Sequence, residues 1–350
     1  MFKEISIETY LNSDQKVPVI DVRSPKEFLH AHMPGAINIP LFNDEERAIV
    51  GITYKKEGRQ AAILKGLEIV GPKMGFFLAH EGLTHREVLT IHCWRGGMRS
   101  KSMATLFDFA GYKVQVIRGG YKAYRTALRK MFSNPWHIII LGGKTGSAKT
   151  KILHALKNAG EQIIDLEKLA NHKGSAFGDL GEDAQPSTEQ FENDLFNELR
   201  KINSHKRVWI EDESHLIGHV FIPEEFWKQM RNAPVAYCDF PLEERIRYLV
   251  ETYGDFDKEA VTGAVKKITK RLGGQHAKAA LENYANGNLE EATRIVLVYY
   301  DKTYDYGLST RNPELIHKIA LDKIEPEINA FEILNGIRKL NTIPITENTN

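Results

Sequence analysis

Cysteine is almost missing from this sequence: Cys93 and Cys238 are the only two in 350 residues. They lie far apart, so there is no C-x-x-C metal spacing and no disulfide framework, which points to a reducing cytoplasm and leaves each thiol to be judged alone. Long hydrophobic runs are missing as well. Nothing approaches the roughly 18 consecutive apolar residues of a membrane span, and the opening MFKEISIETYLN mixes charge with polarity, so neither a secretory signal nor a membrane partner is expected. There is no excess of one charge. With 47 basic against 46 acidic side chains, no global field steers the molecule onto nucleic acid, and any RNA binding must use a local basic patch. Internal repeats and low-complexity stretches are absent too. What remains is a chain long enough for two hydrophobic cores.

Short β-branched runs alternate with helical patterns. The run VPVIDV at 17–22 reads as a buried strand, followed by a helix with Ser24 as N-cap, Pro25 in its first turn and Glu27 placed for a capping box. Met33-Pro34-Gly35 is a turn before a strand at 36–39. Residues 44–82 are charged and helix-period, an inserted helical segment broken near Pro72. A strand at 88–92 runs into Cys93, with a helix at 100–109 and a strand at 113–117 beyond it. Ser133-Asn134-Pro135 marks a boundary, giving domains of residues 1–133 and 134–350. The second domain has strands at 136–141, 162–164, 207–210 and 235–238 and a helix at 149–159. From Leu242 it is mostly helical, and its last residues, TENTN, are expected to fray. The alternation argues for two parallel α/β sheets, with chemistry at the carboxyl ends of their strands.

The segment His92-Cys93-Trp94-Arg95-Gly96-Gly97-Met98-Arg99-Ser100 places a cysteine at a strand end, then a Gly-containing loop, then a basic residue opening a helix. Loop amides at Gly96 and Gly97, the helix N-terminus and the charges of Arg95 and Arg99 make an anion cradle around a nucleophilic sulfur. Cys238, inside the apolar run VAYC, has no such neighbours and is expected in the core.

After the strand WHIIIL comes Gly142-Gly143-Lys144-Thr145-Gly146-Ser147-Ala148-Lys149-Thr150 and a helical pattern. This is the layout of a P-loop, in which Gly143, Thr145, Gly146 and Ser147 supply backbone amides to phosphate, Lys149 pairs with its charge and Thr150 could hold Mg²⁺. Ala148 stands where the motif usually has glycine, which weakens the expectation of tight nucleoside triphosphate binding. The strand end Val208-Trp209-Ile210-Glu211-Asp212-Glu213 supplies carboxylates, of which Asp212 or Glu213 could approach a metal. No tightly bound cofactor is expected.

The blocks Asp21-Val22-Arg23-Ser24-Pro25-Lys26-Glu27-Phe28 and His32-Met33-Pro34-Gly35-Ala36-Ile37-Asn38-Ile39-Pro40, the cysteine loop and Gly119-Gly120-Tyr121 resemble the successive signatures of the rhodanese superfamily. The usual C-x-x-G-x-R loop is here C-x-x-G-x-x-R, one residue longer and so a wider cradle. The same H-C-x-x-G-x-x-R-S string also resembles that of cysteine phosphatases, because both chemistries need an anionic sulfur beside an oxyanion nest. A rhodanese-fold phosphatase with an accessory nucleotide-binding domain is therefore one alternative. A non-catalytic sulfur carrier or RNA-binding adaptor is another.

The order of a rhodanese-like domain and a P-loop domain is similar to that of the bacterial tRNA 2-selenouridine synthases. The likeness extends to Asp44-Glu45-Glu46-Arg47-Ala48, Asn171-His172-Lys173-Gly174-Ser175-Ala176-Phe177-Gly178 and Glu211-Asp212-Glu213-Ser214; the phosphatase alternative explains nothing in the second half. The resemblance implies an α/β fold of two parallel-sheet domains, rhodanese-like then P-loop NTPase-like, with a mostly helical carboxyl-terminal part. It implies replacement of sulfur by selenium at the wobble 2-thiouridine of tRNAs for Lys, Glu and Gln. Selenophosphate, supplied by a selenophosphate synthetase, would be the donor, after alkylation of the sulfur by geranyl diphosphate. Cys93 would act in selenation with Arg95 and Arg99, and Lys149 in gripping diphosphate. For tRNA phosphates the densest basic run is Lys266, Lys267, Lys270 and Arg271, with Arg245 and Arg247 nearby in sequence. An ordinary solvated helix face is the alternative reading of that run, and Trp94 could stack on a base or simply pack.

Overall fold

A computed structural model describes residues 2–13, 19–80, 83, 88–175, 177–253 and 258–338. Val17 and Pro18 of the expected first strand, Glu81 and Gly82 of the helical insertion, Ala176 and the terminal TENTN lie outside the described residues. The chain forms two compact units, Met1–Phe132 with Glu192–Phe196, and Ser133–Phe191 with Asn197–Asn350.

The first unit is built on a parallel sheet of β1 (Lys3–Ile5), β2 (Val19–Asp21), β3 (Ala36–Asn38), β4 (Val88–His92) and β5 (Lys113–Ile117), in the order β1-β5-β4-β2-β3. β4 is buried along almost its whole length because helices cover both faces of such a sheet, and Leu89 and Ile91 are sealed against Ile20, Met103, Phe107 and Val116. The helices are α1 (Ile7–Leu11), α2 (Pro25–His30), α3 (Asp44–Glu57), α4 (Arg59–Val70), α5 (Met74–Leu78), α6 (Met98–Phe109) and α7 (Gly120–Phe132). Glu27 reaches back to the Ser24 amide at 3.1 Å, as the sequence around α2 predicts. Asn43 and Glu46 cap α3 reciprocally at 2.8 and 2.9 Å. The helical insertion is broken twice, near Pro72 as expected and also at Gly58, whose φ of 88° suits a residue without a Cβ.

The second unit repeats the scheme with β6 (Ile138–Gly142), β7 (Gln162–Ile164), β8 (Val208–Glu211), β11 (Val235–Asp239) and β12 (Ile316–Ala320), parallel in the order β12-β11-β6-β8-β7, plus a two-stranded hairpin of β9 (Leu216–Ile217) and β10 (Val220–Phe221). Its helices are α8 (Lys149–Asn158), α9 (Leu166–Ala170), α11 (Glu224–Asn232), α12 (Leu242–Tyr253), α13 (Lys258–Leu272), α14 (Gly274–Ala285), α15 (Leu289–Ser309) and α16 (Pro326–Arg338), together with the two ends of α10 (Thr188–Leu199), whose middle, Glu192–Phe196, belongs to the first unit. Cys238 is core as expected, 1% exposed, and burial pushes its thiol up to about 12. β12 interrupts the region read as mostly helical. As an edge strand of sequence IHKIA it lacks the sealed apolar run of its neighbours. Val265, Ile268, Leu272, Ala277, Ala280 and Val296 of α13, α14 and α15 form a separate small core. Among the described residues no helix is long and apolar enough to cross a membrane.

Candidate functional site

β4 ends at His92 and delivers Cys93 into the loop before α6. Two glycines shape that loop. A Cβ on Gly96 (φ 61°) would stand 2.4 Å from the Ile117 carbonyl oxygen, and one on Gly120 (φ 56°) would stand 2.2 Å from that of Cys93. The Tyr121 and Lys122 amides donate to the Cys93 and Trp94 carbonyls, both at 2.9 Å, so the start of α7 clamps the loop from behind. The sulfur receives the Gly97 amide at 3.3 Å and lies 3.3 Å from the Ser100 hydroxyl, which donates to the Gly97 carbonyl at 3.0 Å. Cys93 is 4% exposed and belongs to the hydrophobic core of the first unit, with its sulfur turned to the Gly97 amide and the Ser100 hydroxyl. Trp94, 38% exposed, leans on Tyr121 with ring centroids 5.6 Å apart.

The structure separates the two arginines expected to serve an anion. Arg95 is exposed at the loop rim. Arg99 is paired with Glu27 at 2.7 and 3.3 Å, linking the cysteine loop to the cap of α2. Burial pushes the Glu27 carboxyl up, but Arg99 outweighs it and holds Glu27 below the usual glutamate value. Beneath the loop, buried Arg23 embraces Asp21 at 2.6 to 3.0 Å and lies 4.0 Å over the Tyr121 ring. Burial depresses the His92 imidazole, with Asp21 opposing, and its Nε2 lies 3.8 Å from the Asp21 carboxylate. Asn193 is fully buried and donates to the Tyr121 hydroxyl at 2.7 Å and the His32 carbonyl at 2.8 Å, while Arg125 donates to it at 2.7 Å.

In the second unit β6 runs into the glycine loop and α8 follows. Gly143 has no room for a side chain, since a Cβ would stand 2.5 Å from the Ser147 hydroxyl, and one on Gly146 would stand 2.9 Å from Leu249 and from the Arg245 carbonyl oxygen. Ala148 adopts the left-handed conformation, φ 51° and ψ 31°. Lys149 is folded onto the Gly143 carbonyl at 3.0 Å, Ser147 donates to the Lys144 carbonyl at 2.6 Å, and the Thr150 hydroxyl donates to Glu167 at 2.6 Å. The amino end of α8 and Lys149 are thus placed to meet an anion.

Three side chains of α15 and its surroundings hold the loop. The Gly143 amide donates to the Tyr304 hydroxyl at 2.8 Å, and that hydroxyl donates to Asp212 at 2.9 Å. Lys144 pairs with Asp305 at 2.9 Å. Arg245 donates to the Thr145 carbonyl at 3.0 Å and pairs with Asp301. Arg245 is therefore a buried strut and no surface contact for RNA. None of these partners was apparent from sequence, because 161 residues separate Gly143 from Tyr304; the Tyr-x-x-x-Tyr and Asp-x-x-x-Asp spacings in α15 were the available signal.

Asp212 accepts from Arg311 at 2.5 Å as well as from Tyr304, so both of its oxygens are engaged. Glu213 lies against Gly174 of the 171–178 block and shares a hydrogen bond with Glu167. Burial first, and then Glu167, push the Glu213 carboxyl well above the usual value, with Lys149 opposing. Glu211 is pushed the same way by burial and by Asp165 and Glu167. Asp212 is committed to Arg311 and Thr150 to Glu167, and among the described residues no group of three or more His, Cys, Asp or Glu is arranged to hold a metal.

A cavity of about 1680 Å³ opens from the loop and is lined by Thr145, Gly146, Ser147, Lys149, Thr150, Asp212 and Glu213. Lys267, Lys270 and Arg271 line it too, which brings the basic run and the phosphate-binding loop to one cavity; Lys266 is exposed outside that lining. Lys267 pairs with Asp179 at 2.7 Å and Arg271 donates to the Tyr299 hydroxyl at 3.2 Å. Arg247 pairs with Glu244 at 2.8 Å.

Residues 8–127 match the rhodanese-like domain, and residues 136–330 match the tRNA 2-selenouridine synthase AAA domain. The tRNA 2-selenouridine synthase of Nitrosomonas europaea is 35% identical over 349 residues, covering 84% of this chain and 90% of that protein. Those of Sulfurovum sp. (32% over 356 residues, 90% of this chain and 95% of that one) and Proteus mirabilis (35% over 348 residues, 89% and 94%) are similar along nearly their full length. With one domain match covering over half of its length and such relatives spanning both loops, the chain belongs to the tRNA 2-selenouridine synthase family.

Proposed function

We propose that this protein converts the wobble 2-thiouridine of tRNAs for Lys, Glu and Gln into 2-selenouridine in the cytoplasm, in two steps. In the first, the thiocarbonyl sulfur attacks C1 of geranyl diphosphate, and the C–O bond breaks with its electron pair leaving on pyrophosphate. Lys149, the amides of Thr145 and Gly146 and the amino end of α8 stabilise that departing charge, while the Gly143 and Ser147 amides, expected to share in this, are held by the Tyr304 hydroxyl and the Lys144 carbonyl. In the second, the selenium of selenophosphate, the product of a separate synthetase, adds at C2, the C2–S bond breaks with the alkylated sulfur leaving as geranyl thiol, and water cleaves the P–Se bond to release phosphate. Alkylation is what turns a poor leaving group into a good one. Cys93 carries out the selenation, with Arg95, Gly96, Gly97 and Arg99 around the tetrahedral anion. Lys266, Lys267, Lys270 and Arg271 meet tRNA phosphates, so binding weakens as salt rises.

The observation that carries this reading is the presence, on one chain of this family, of a cysteine seated on a loop amide and of a separate lysine-bearing phosphate-binding loop. Mass analysis of nucleosides from 2-thiouridine tRNA incubated with geranyl diphosphate and selenophosphate tests it. Cys93→Ala is expected to retain geranylation and lose selenation, and Lys149→Ala to lose geranylation by tenfold or more. Equal loss of both steps in Cys93→Ala would refute the division of labour, and tRNA-independent hydrolysis of an aryl phosphate would favour a phosphatase.

A further inference from the structure

Chemistry at C2 of a wobble base makes a demand that neither the cysteine nor the phosphate-binding loop meets. A nucleophile adds to an sp² ring carbon from one face of the ring, so the base must come out of the stack of its neighbours before selenium reaches it, and the lost stacking costs affinity. A protein recovers that cost by offering an aromatic side chain to the opposite face. Stacking of this kind is worth about tenfold in affinity per base and accepts any base, because every base has a π-face.

Trp94 stands where such a surface is needed. It follows the nucleophile directly and is 38% exposed. A single exposed apolar side chain needs no explanation by itself, but two features set this one apart. First, its ring is backed by Tyr121, which is fully buried, bonded through its hydroxyl to Asn193 at 2.7 Å and covered by the Arg23 guanidinium. The platform is therefore in place before a ligand arrives, and little side-chain freedom is lost on binding. Second, it is flanked by cations. Arg95 is the next residue, the Lys122 amide donates to the Trp94 carbonyl at 2.9 Å, and Arg118 precedes the Gly119-Gly120 pair that packs against the cysteine loop. All three are exposed. Among the described residues neither Arg95 nor Lys122 has an acidic partner, and Arg118 reaches Glu4 at 4.0 Å, a carboxylate that Lys101 already holds at 2.6 Å. An aromatic face among unneutralised cations matches an unpaired nucleotide, base and phosphate together.

We propose that Trp94 is the surface on which the pyrimidine ring of the modified nucleotide stacks while Cys93 acts on it, with Arg118 and Lys122 taking the adjoining phosphates. This rests on the proposed role of Cys93 and deepens it by giving the base a seat in the first unit.

The test is a binding titration of the full-length protein with two synthetic anticodon stem-loops, one bearing 2-selenouridine at the wobble position, the product of the Cys93 step, and the other an abasic nucleotide there. The wild-type protein is expected to prefer the first by about tenfold. Trp94→Ala is expected to bind both alike, at the affinity that wild type shows for the abasic loop, and Trp94→Phe to keep part of the preference. Lys122→Ala is expected to weaken both loops equally and to flatten the salt dependence by about one unit of logarithmic slope. Thermal unfolding checks that each variant is folded, and Trp94→Leu, which keeps bulk without a π-face, decides the matter if Trp94→Ala does not fold. A preference that survives in Trp94→Ala, or that wild type lacks, overturns the seat and leaves the role of Cys93 to the nucleoside masses. A wild-type protein that binds neither loop overturns both this proposal and the tRNA reading.

Discussion

Ala148 is the residue at which the phosphate-binding loop departs from its usual composition, and the backbone there is left-handed, φ 51°. A methyl group in that conformation costs roughly 1 kcal/mol through its approach to the following carbonyl, whereas glycine adopts it freely. Ala148→Gly is therefore expected to raise stability by about 0.5–1 kcal/mol, read as a higher urea midpoint at unchanged slope; a lower midpoint would mean that the alanine methyl contributes packing worth more than the strain. The motif's glycine preference is thus legible in sequence as a backbone demand, and this chain meets the demand with strain. Arg99 shows the opposite case. Its position after the cysteine was legible, but its pairing with Glu27 was not, because Glu27 had a sufficient local explanation as the cap of α2.

Among the elements, α15 carries the most consequence for the site. Tyr304 bridges the Gly143 amide and Asp212, and burial first, then Asp212, push its hydroxyl well above the usual tyrosine value, so it remains a neutral donor. Tyr304→Phe removes both bonds and leaves a loop amide without that acceptor. The expected loss is about 1–3 kcal/mol of stability, with weaker pyrophosphate binding, measured by thermal unfolding and calorimetry. Asp305 is 56% exposed, so Asp305→Asn, which breaks its pair to Lys144, is expected to cost less than about 1 kcal/mol. Strands β2, β4, β6 and β8 were legible because burial on both faces leaves a continuous apolar signature. β1 and β12 were not, since edge strands of three and five residues with interspersed Lys, Glu and His carry none.

At the scale of the whole molecule the buried carboxylates govern stability against pH. Glu211 is fully buried, accepts the Leu166 amide at 3.2 Å, and is raised well above 4.5 by burial and its acidic neighbours. The folded state therefore keeps this proton where the unfolded chain has released it, and stability falls as pH rises from about 4.5 toward the raised value. Glu211→Gln retains an acceptor for Leu166 and removes the titration. Its stability relative to wild type is expected to increase between pH 4.5 and neutrality in urea unfolding; a difference independent of pH would show that Glu211 does not titrate in that window. The inner strands of the two sheets and both loops were legible because each is written in its own contiguous stretch of chain. The division of the first unit between Met1–Phe132 and Glu192–Phe196 was not, because Asn193 sits in an amphipathic helix whose pattern gives no sign of where that side chain is buried.

That division bears on biosynthesis. The three hydrogen bonds of Asn193, which fasten Tyr121 and the His32 carbonyl beneath the cysteine loop and receive Arg125, exist only once the ribosome has translated some sixty residues past the end of α7. The nascent first unit must wait through that interval with its floor incomplete, so its final closure is timed by elongation of the chain that follows it.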